Sequence, residues 1–161
     1  RSMLHYGGFV EGWAVYVENL SYGYAAQLTK SEETAAYIEA CRLNRNLHLC
    51  LYSYMDIAIH YDGATPEQIG RFLENLGLGR HANAEAIYEY LVEEPCNYLK
   101  YYLGYLEFLS LKQKAEELWG TDYSDYRFHK FVLETGPSDF RSLGELVTAH
   151  PYPGQNFGNQ S

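Results

Sequence analysis

Positive charge is scarce in this chain of 161 residues, which carries 12 Lys and Arg side chains against 21 Asp and Glu, a net charge of -9. A surplus of acids repels phosphate groups, so the composition argues against nucleic acids and anionic membrane surfaces as partners. Long apolar runs are absent too, which excludes a membrane span or secretion signal within this stretch. The compartment therefore stays open, and depends on what precedes the chain.

Cysteine is also scarce. Cys41, Cys50 and Cys96 are an odd number without the spacing of a metal site, so we predict reduced core residues. Tyrosine, by contrast, is abundant, with 17 residues. Tyrosine has an apolar ring and a polar hydroxyl, so it suits surfaces that are partly exposed to water, such as a cleft or a contact with another domain. A tyrosine-rich core is the alternative interpretation.

Helical periodicity and helix start signals recur along the chain without a convincing strand pair, so we predict an all-α fold. Ser31, followed by two acids, favours the start of a long helix that ends near His60. Thr65-Pro-Glu-Gln68 has the pattern of a capping box with proline at the first helical position. Further helices are expected over about 84–92, 95–119, 124–134 and 138–147. One helical domain over 1–149 and a flexible tail over 150–161 complete the predicted organisation.

The first helix places a carboxylate among residues that favour burial. Glu11, Val15 and Glu18 share one side, beside apolar neighbours that include Trp13 and Tyr16. A carboxylate on such a face must be paired, protonated or bound to a metal.

The long helix carries two stripes. Polar side chains at four-residue intervals form a line that is either the wall of a substrate channel or an ordinary solvated face: His48, Tyr52, Asp56 and His60. Asp56 and His60 are also spaced to pair with each other. Apolar side chains at helical spacing form the second stripe: Leu43, Leu47, Cys50, Leu51, Tyr54, Met55 and Ala58.

The segment Gly8-Phe-Val-Glu-Gly-Trp-Ala-Val-Tyr-Val-Glu18 resembles the Phe-x-Glu-Gly-Trp-Ala-x-Tyr-x-Glu segment of a large bacterial family, domain-of-unknown-function family 885 (DUF885), which has the marks of gluzincin-type zinc metallopeptidases. Similar segments follow in the same order over 42–45, 55–68, 94–104 and 128–129. By this resemblance Glu11 is the expected metal ligand, and Glu18 is expected to orient nearby groups. Cys96, Asn97 and Tyr102 depart from the family pattern.

In that family a His-Glu-x-x-Pro-Gly-His-His motif supplies the histidine ligands and the general base. None of the six histidines here is followed by Glu. The resemblance therefore implies that this chain is the carboxy-terminal part of a zinc-dependent enzyme that hydrolyses peptide bonds. We expect the zinc to be bound by the full-length parent, and the fragment alone to bind none and to be inactive. Its expected partners are the peptide substrate and the missing amino-terminal portion of the same protein.

A zinc peptidase needs donors aimed at the oxyanion that forms from the scissile carbonyl. His60 and Tyr101 lie on matched segments and are the expected catalytic donors, while Arg42, Arg45 and Tyr98 are the expected substrate-binding residues. Each of these residues also has a purely structural alternative. His60 could cap its helix, the tyrosines could pack in the core, and both arginines could pair with internal acids. For the whole chain, the rivals are a non-catalytic helical binding module and a family member that has lost its metal.

Overall fold

In the computed structural model, residues 5–149 are described. They form seven α-helices without a strand among them, so the all-α prediction is confirmed. The helices are α1 (Gly7–Leu28), α2 (Glu32–His60), α3 (Pro66–Asn75), α4 (Ala84–Glu93), α5 (Asn97–Trp119), α6 (Asp125–Thr135) and α7 (Phe140–Ala149). None of the helices within 5–149 is both long and apolar enough to cross a bilayer. The predicted tail over 150–161 lies outside the described residues.

Side-chain caps explain where the helices begin. The Ser31 hydroxyl accepts a hydrogen bond from the Thr34 backbone N–H, as predicted for the start of α2. Thr65 and Gln68 form the predicted capping box at α3, because each side chain accepts from the other's backbone N–H. The Ser124 hydroxyl caps α6 by accepting a hydrogen bond from the Arg127 backbone N–H.

The start of α5 differs from the prediction. Cys96 has a φ of 61°, in the left-handed region, so the helix begins at Asn97 rather than at Pro95. The same residue is exposed, and the expectation that it belongs to the core is wrong. Cys96 lies in the turn between α4 and α5. Cys41 and Cys50 are half-buried free thiols.

The main core surrounds α5. Phe108 is fully buried, and its ring lies 5.0 to 5.3 Å, between centroids, from the rings of Phe9, Trp13 and Phe140. Edge-to-face contacts of this kind add to the free energy gained by burying the rings. A second core joins α2, α3 and α4, and is built from Met55, Ile59, Ile69, Leu73 and Leu91.

Helices α1 and α5 approach each other at two glycines. A Cβ added to Gly12 would lie 2.6 Å from both the Cα and the carbonyl oxygen of Gly104, and one added to Gly104 would lie 2.9 Å from the Cα of Gly12. Real Cβ atoms essentially never come that close to another atom. Both positions therefore require glycine, and the backbones of the two helices touch directly.

The apolar stripe predicted on α2 is partly buried and partly exposed. Met55 is buried, but Leu43, Leu47 and Tyr54 are each more than half exposed. Val10, Val17 and Tyr24 form a similar exposed line on α1, one residue every seven. Each helix thus keeps apolar side chains that are exposed, although the ring of Tyr54 lies 4.8 Å, between centroids, from that of Phe72 on α3.

His129 joins α6 to α1. Its Nε2 lies 2.9 Å from the Tyr16 hydroxyl, so the two side chains form an interhelical hydrogen bond. Burial lowers the pKa of His129 below its ordinary value. The charge of Asp125 raises this pKa in part, and the charge of Lys112 lowers it further. Burial, with the charge of Asp125, raises the pKa of Tyr16. The phenol therefore donates and the neutral imidazole accepts.

The lowered pKa of His129 predicts that the protein loses stability in mild acid. Because the pKa of His129 is lowered on folding, the unfolded chain takes up the proton first as the pH falls through about 6.5, and the free energy of unfolding decreases. We expect His129→Gln to lose less stability than the wild type between about pH 7 and about pH 5.5, measured by urea denaturation. The exposed His81→Gln is the control, and an equal loss in wild type and His129→Gln would contradict the assignment.

Candidate functional site

Glu11 on α1 and Tyr101 on α5 face each other. Both are half-buried. Burial raises the pKa of the Tyr101 phenol, and the charge and hydrogen bonding of Glu11 raise it further. Tyr101 is therefore a protonated hydrogen-bond donor at neutral pH. Two residues that were selected from separate sequence segments thus meet in space.

Arg45 adds a positive charge beside these two residues. Glu11, Tyr101, Arg45 and Glu18 are together called the Glu11 group. Its Nε lies 3.3 and 3.4 Å from the two carboxylate oxygens of Glu18. Burial is the main cause of the raised pKa of Tyr98 and of Tyr101, and the charge of Arg45 partly opposes the rise at both. The guanidinium is thus close enough for its charge to act on both phenols, while Glu18 holds it from α1. The contact observed for Glu18 is this ion pair with Arg45.

Arg42 has a different environment. Its Nε lies 2.8 Å from Oε2 of Glu39, and another guanidinium nitrogen donates to Asn19 at 3.2 Å. These contacts place Arg42 between two partners at the α1–α2 contact. Both arginines therefore pair with acids of the chain, as the alternative interpretation held, but it is Arg45 whose charge acts on Tyr98 and Tyr101.

His60 is held by a buried carboxylate. Its Nδ1 lies 2.8 Å from Oδ1 of Asp56 and 3.0 Å from the Asp56 backbone oxygen, so the expected pair forms. Asp56 is 0% exposed, which excludes an ordinary solvated face at this point of the polar stripe. Within residues 5–149, Asp56 Oδ2 and Ser53 Oγ have no hydrogen-bond partner. In the same range no hydrogen bond or ion pair joins His60 to Glu11 or Tyr101.

An open cleft of about 500 Å³ lies between α2, α4 and α5. One wall is aromatic: the ring of His48 stacks on Tyr52 at 4.3 Å between centroids, and Tyr52 lies 4.6 Å from Tyr98. His81 reaches the cleft from the α3–α4 connection. The polar stripe of α2 pointed to His48 and Tyr52. Nothing in the sequence indicated His81, because the path of a connecting loop depends on tertiary packing.

The polar groups of this aromatic wall are neutral near pH 7. Burial lowers the pKa of His48, and the nearby Arg45 lowers it further. Burial, and to a lesser extent the neighbouring Tyr90, raises the pKa of Tyr98 to about 12. The charge of Arg45 thus acts on this wall as well as on Tyr101, and the cleft and the Glu11 group are neighbours.

The described residues do not form a complete metal site. Within 5–149, no three His, Cys, Asp or Glu side chains are grouped so that they could hold a metal ion. Structural zinc sites have four protein ligands and catalytic sites three. A metal ion at Glu11 would therefore need ligands from outside residues 5–149.

Fold and site together define an all-helical protein in which the acids Glu11 and Glu18 and the phenol of Tyr101 lie near an apolar cleft. The family model described as "Bacterial protein of unknown function (DUF885)" matches residues 1–147, and the chain belongs to this family. No curated protein and no solved structure matches the chain.

Proposed function

We propose that this chain forms part of a zinc-dependent peptidase, in which Glu11 supplies one carboxylate ligand. The histidine ligands and the general base would come from outside the described residues. The observation that carries the proposal is the meeting of Glu11 with Tyr101, which brings a carboxylate next to a phenol donor. Membership of DUF885 supports it through the resemblance of the Glu-Gly-Trp segment. A bound zinc ion would supply Lewis acidity and an activated water molecule.

The chain's own residues have distinct tasks in this proposal. Tyr101 donates a hydrogen bond to the oxyanion that develops at the scissile carbonyl. Glu18 holds Arg45 where its charge acts on Tyr98 and Tyr101, and Arg45 and Tyr98 contact the peptide. Asp56 occupies Nδ1 of His60 and leaves Nε2 of that exposed ring for the substrate. The contacts of Arg42 favour a structural role.

The exposed apolar faces of α1 and α2 bear on the partner. Apolar side chains at helical spacing on an otherwise acidic protein are typical of a surface that another protein segment covers. We propose that further chain of the same protein packs there. The same segment would then be the source of the remaining zinc ligands.

Zinc binding tests the proposal directly. In the complete gene product that carries this chain, we expect one zinc ion per molecule. Glu11→Gln keeps the size of the side chain and removes its charge, and should weaken zinc affinity by more than ~100-fold, since loss of an outer-shell partner alone weakens it 10–100-fold. Metal analysis and chelator competition measure this.

Two further variants sharpen the test. Glu18→Gln should weaken zinc affinity less than Glu11→Gln, and Glu89→Gln, on the exposed surface of α4, should leave it unchanged. A wild type without zinc, or an affinity that is indifferent to Glu11, would refute the peptidase proposal.

The second candidate is a non-catalytic helical ligand-binding module, in which Glu11 is a structural carboxylate. The observation that favours it is the open cleft between α2, α4 and α5, which is lined mostly by apolar and aromatic side chains. This candidate predicts ligand binding that is independent of zinc.

A further inference from the structure

We infer that the cleft between α2, α4 and α5 is the pocket that takes a neutral aromatic side chain of the peptide substrate. The inference rests on the proposed peptidase function and names the kind of substrate residue bound next to the Glu11 group. It is carried by three features of the cleft, namely the absence of charge in its lining, its ring geometry and its position.

The lining selects against charge. The residues that line the cleft include no Asp, Glu, Lys or Arg, and Met55, Leu73 and Ile87 are among its apolar members. A charged side chain that entered would lose water without gaining an unpaired counter-charge, because the nearby Arg45 already pairs with Glu18. That loss of water carries a large free-energy penalty. A neutral apolar side chain loses nothing comparable and gains the burial of its surface.

The ring geometry selects for an aromatic occupant. His48, Tyr52 and Tyr98 form a wall of rings with centroids 4.3 and 4.6 Å apart, and aromatic rings pack favourably against one another at such distances. The volume of about 500 Å³ lies within the range of small-molecule sites, ~300–1,000 Å³. The flexible thioether of Met55 can adapt to the edge of a ring.

The position of the cleft links it to the peptide backbone. Tyr98 lines the cleft, and Tyr101 beside Glu11 follows it by three residues on α5, so the two phenols lie about one helical turn apart on the same side of the helix. Arg45 precedes the cleft residue His48 by the same spacing on α2. A side chain bound in the cleft would therefore leave its own backbone amide near Arg45 and Tyr101. The cleft would select the residue adjacent to the bond that is cleaved.

A methionine NMR experiment tests the pocket without zinc. The chain has two methionines. Met55 lies in the cleft, and Met3 lies outside the described residues, so the ¹³C-methyl spectrum has one reporter in the site. We expect N-acetyl-phenylalaninamide to shift the Met55 methyl signal saturably through its ring current. The charged N-acetyl-glutamic acid amide should bind at least ~10-fold more weakly, a difference of about 1.4 kcal/mol.

Two tryptophan variants on α4 control for the site. Ala86 lines the cleft and is exposed, so Ala86→Trp should fill the pocket and weaken binding of the phenylalanine probe more than ~10-fold. Glu89→Trp, on the same helix but outside the lining, should leave binding unchanged. Equal binding of both probes, or binding that Ala86→Trp does not reduce, would overturn the inference.

The outcomes separate the two proposals. If the complete protein binds zinc through Glu11 but the Met55 signal does not respond to the phenylalanine probe, the pocket inference fails and the peptidase proposal stands. If the probe binds as expected and zinc does not, the peptidase proposal fails, and the cleft is the site of a binding module.

Discussion

Replacing Gly12 by alanine should lower the free energy of unfolding by at least about 3 kcal/mol, at the upper end of the range for overpacked cores. Natural domains have only about 5–15 kcal/mol in total, so the variant should be largely unfolded at moderate urea concentrations. The reason is steric. The new methyl group would overlap the backbone of Gly104, which cannot move without separating α1 from α5.

The sign of this effect makes the test specific. Inside an exposed stretch of helix, alanine is more favourable than glycine by about 0.5–1 kcal/mol. Gly23 lies on the same helix and has no atom within 4 Å of a Cβ built on it. Gly23→Ala should therefore stabilise the protein, whereas Gly12→Ala destabilises it.

Urea denaturation followed by circular dichroism measures both variants. Gly104→Ala is a second test of the same contact from the α5 side, and should destabilise as strongly as Gly12→Ala. A Gly12→Ala protein as stable as the wild type would mean that the two helices do not touch at this point.

Replacing His60 by alanine should lower the free energy of unfolding by about 2 kcal/mol, the middle of the range for a buried polar group that loses its partner. Asp56 is fully buried, and His60 Nδ1 is the only side-chain partner of its carboxylate among the described residues. Without the imidazole, both carboxylate oxygens would lack a side-chain partner.

A double-variant cycle isolates this pair. Asp56→Asn removes the charge and keeps the shape, so His60→Ala in that background should cost less than it does in the wild type. His81→Ala, which removes an exposed histidine elsewhere, should change stability by less than ~0.5 kcal/mol. Additive effects of the Asp56 and His60 changes, measured by the same urea titrations, would show that the carboxylate does not depend on the imidazole.

Local signals were sufficient to predict the helices. The caps at Ser31 and Thr65 act through hydrogen bonds within one turn, so a short stretch of sequence contains all the information needed. The polar stripe on α2 also predicted the pair of Asp56 and His60, because residues four apart on a helix are neighbours. The family resemblance, and not spacing, selected Glu11 and Tyr101 as candidates.

Features that depend on tertiary packing could not be predicted in this way. Leu43 and Leu47 have the spacing of core residues, yet they are exposed because none of the described elements covers these two side chains. The complete burial of Asp56 and the approach of His81 to the cleft depend on how α3 and α4 fold against α2. Sequence periodicity indicates which residues share a face, but not which face is covered.

The contact between Gly12 and Gly104 also has a consequence for direction. An α-helix turns by about 100° per residue, so the contact that points Gly12 at α5 fixes the rotation of α1 about its own axis. Glu11 is the preceding residue, and a slip of α1 by one position would swing its carboxylate by about 100° away from Tyr101. The adjacent glycine has no side chain to take part in chemistry, but it determines where the carboxylate points. A substitution at Gly12 that the fold survived would therefore be expected to misdirect Glu11.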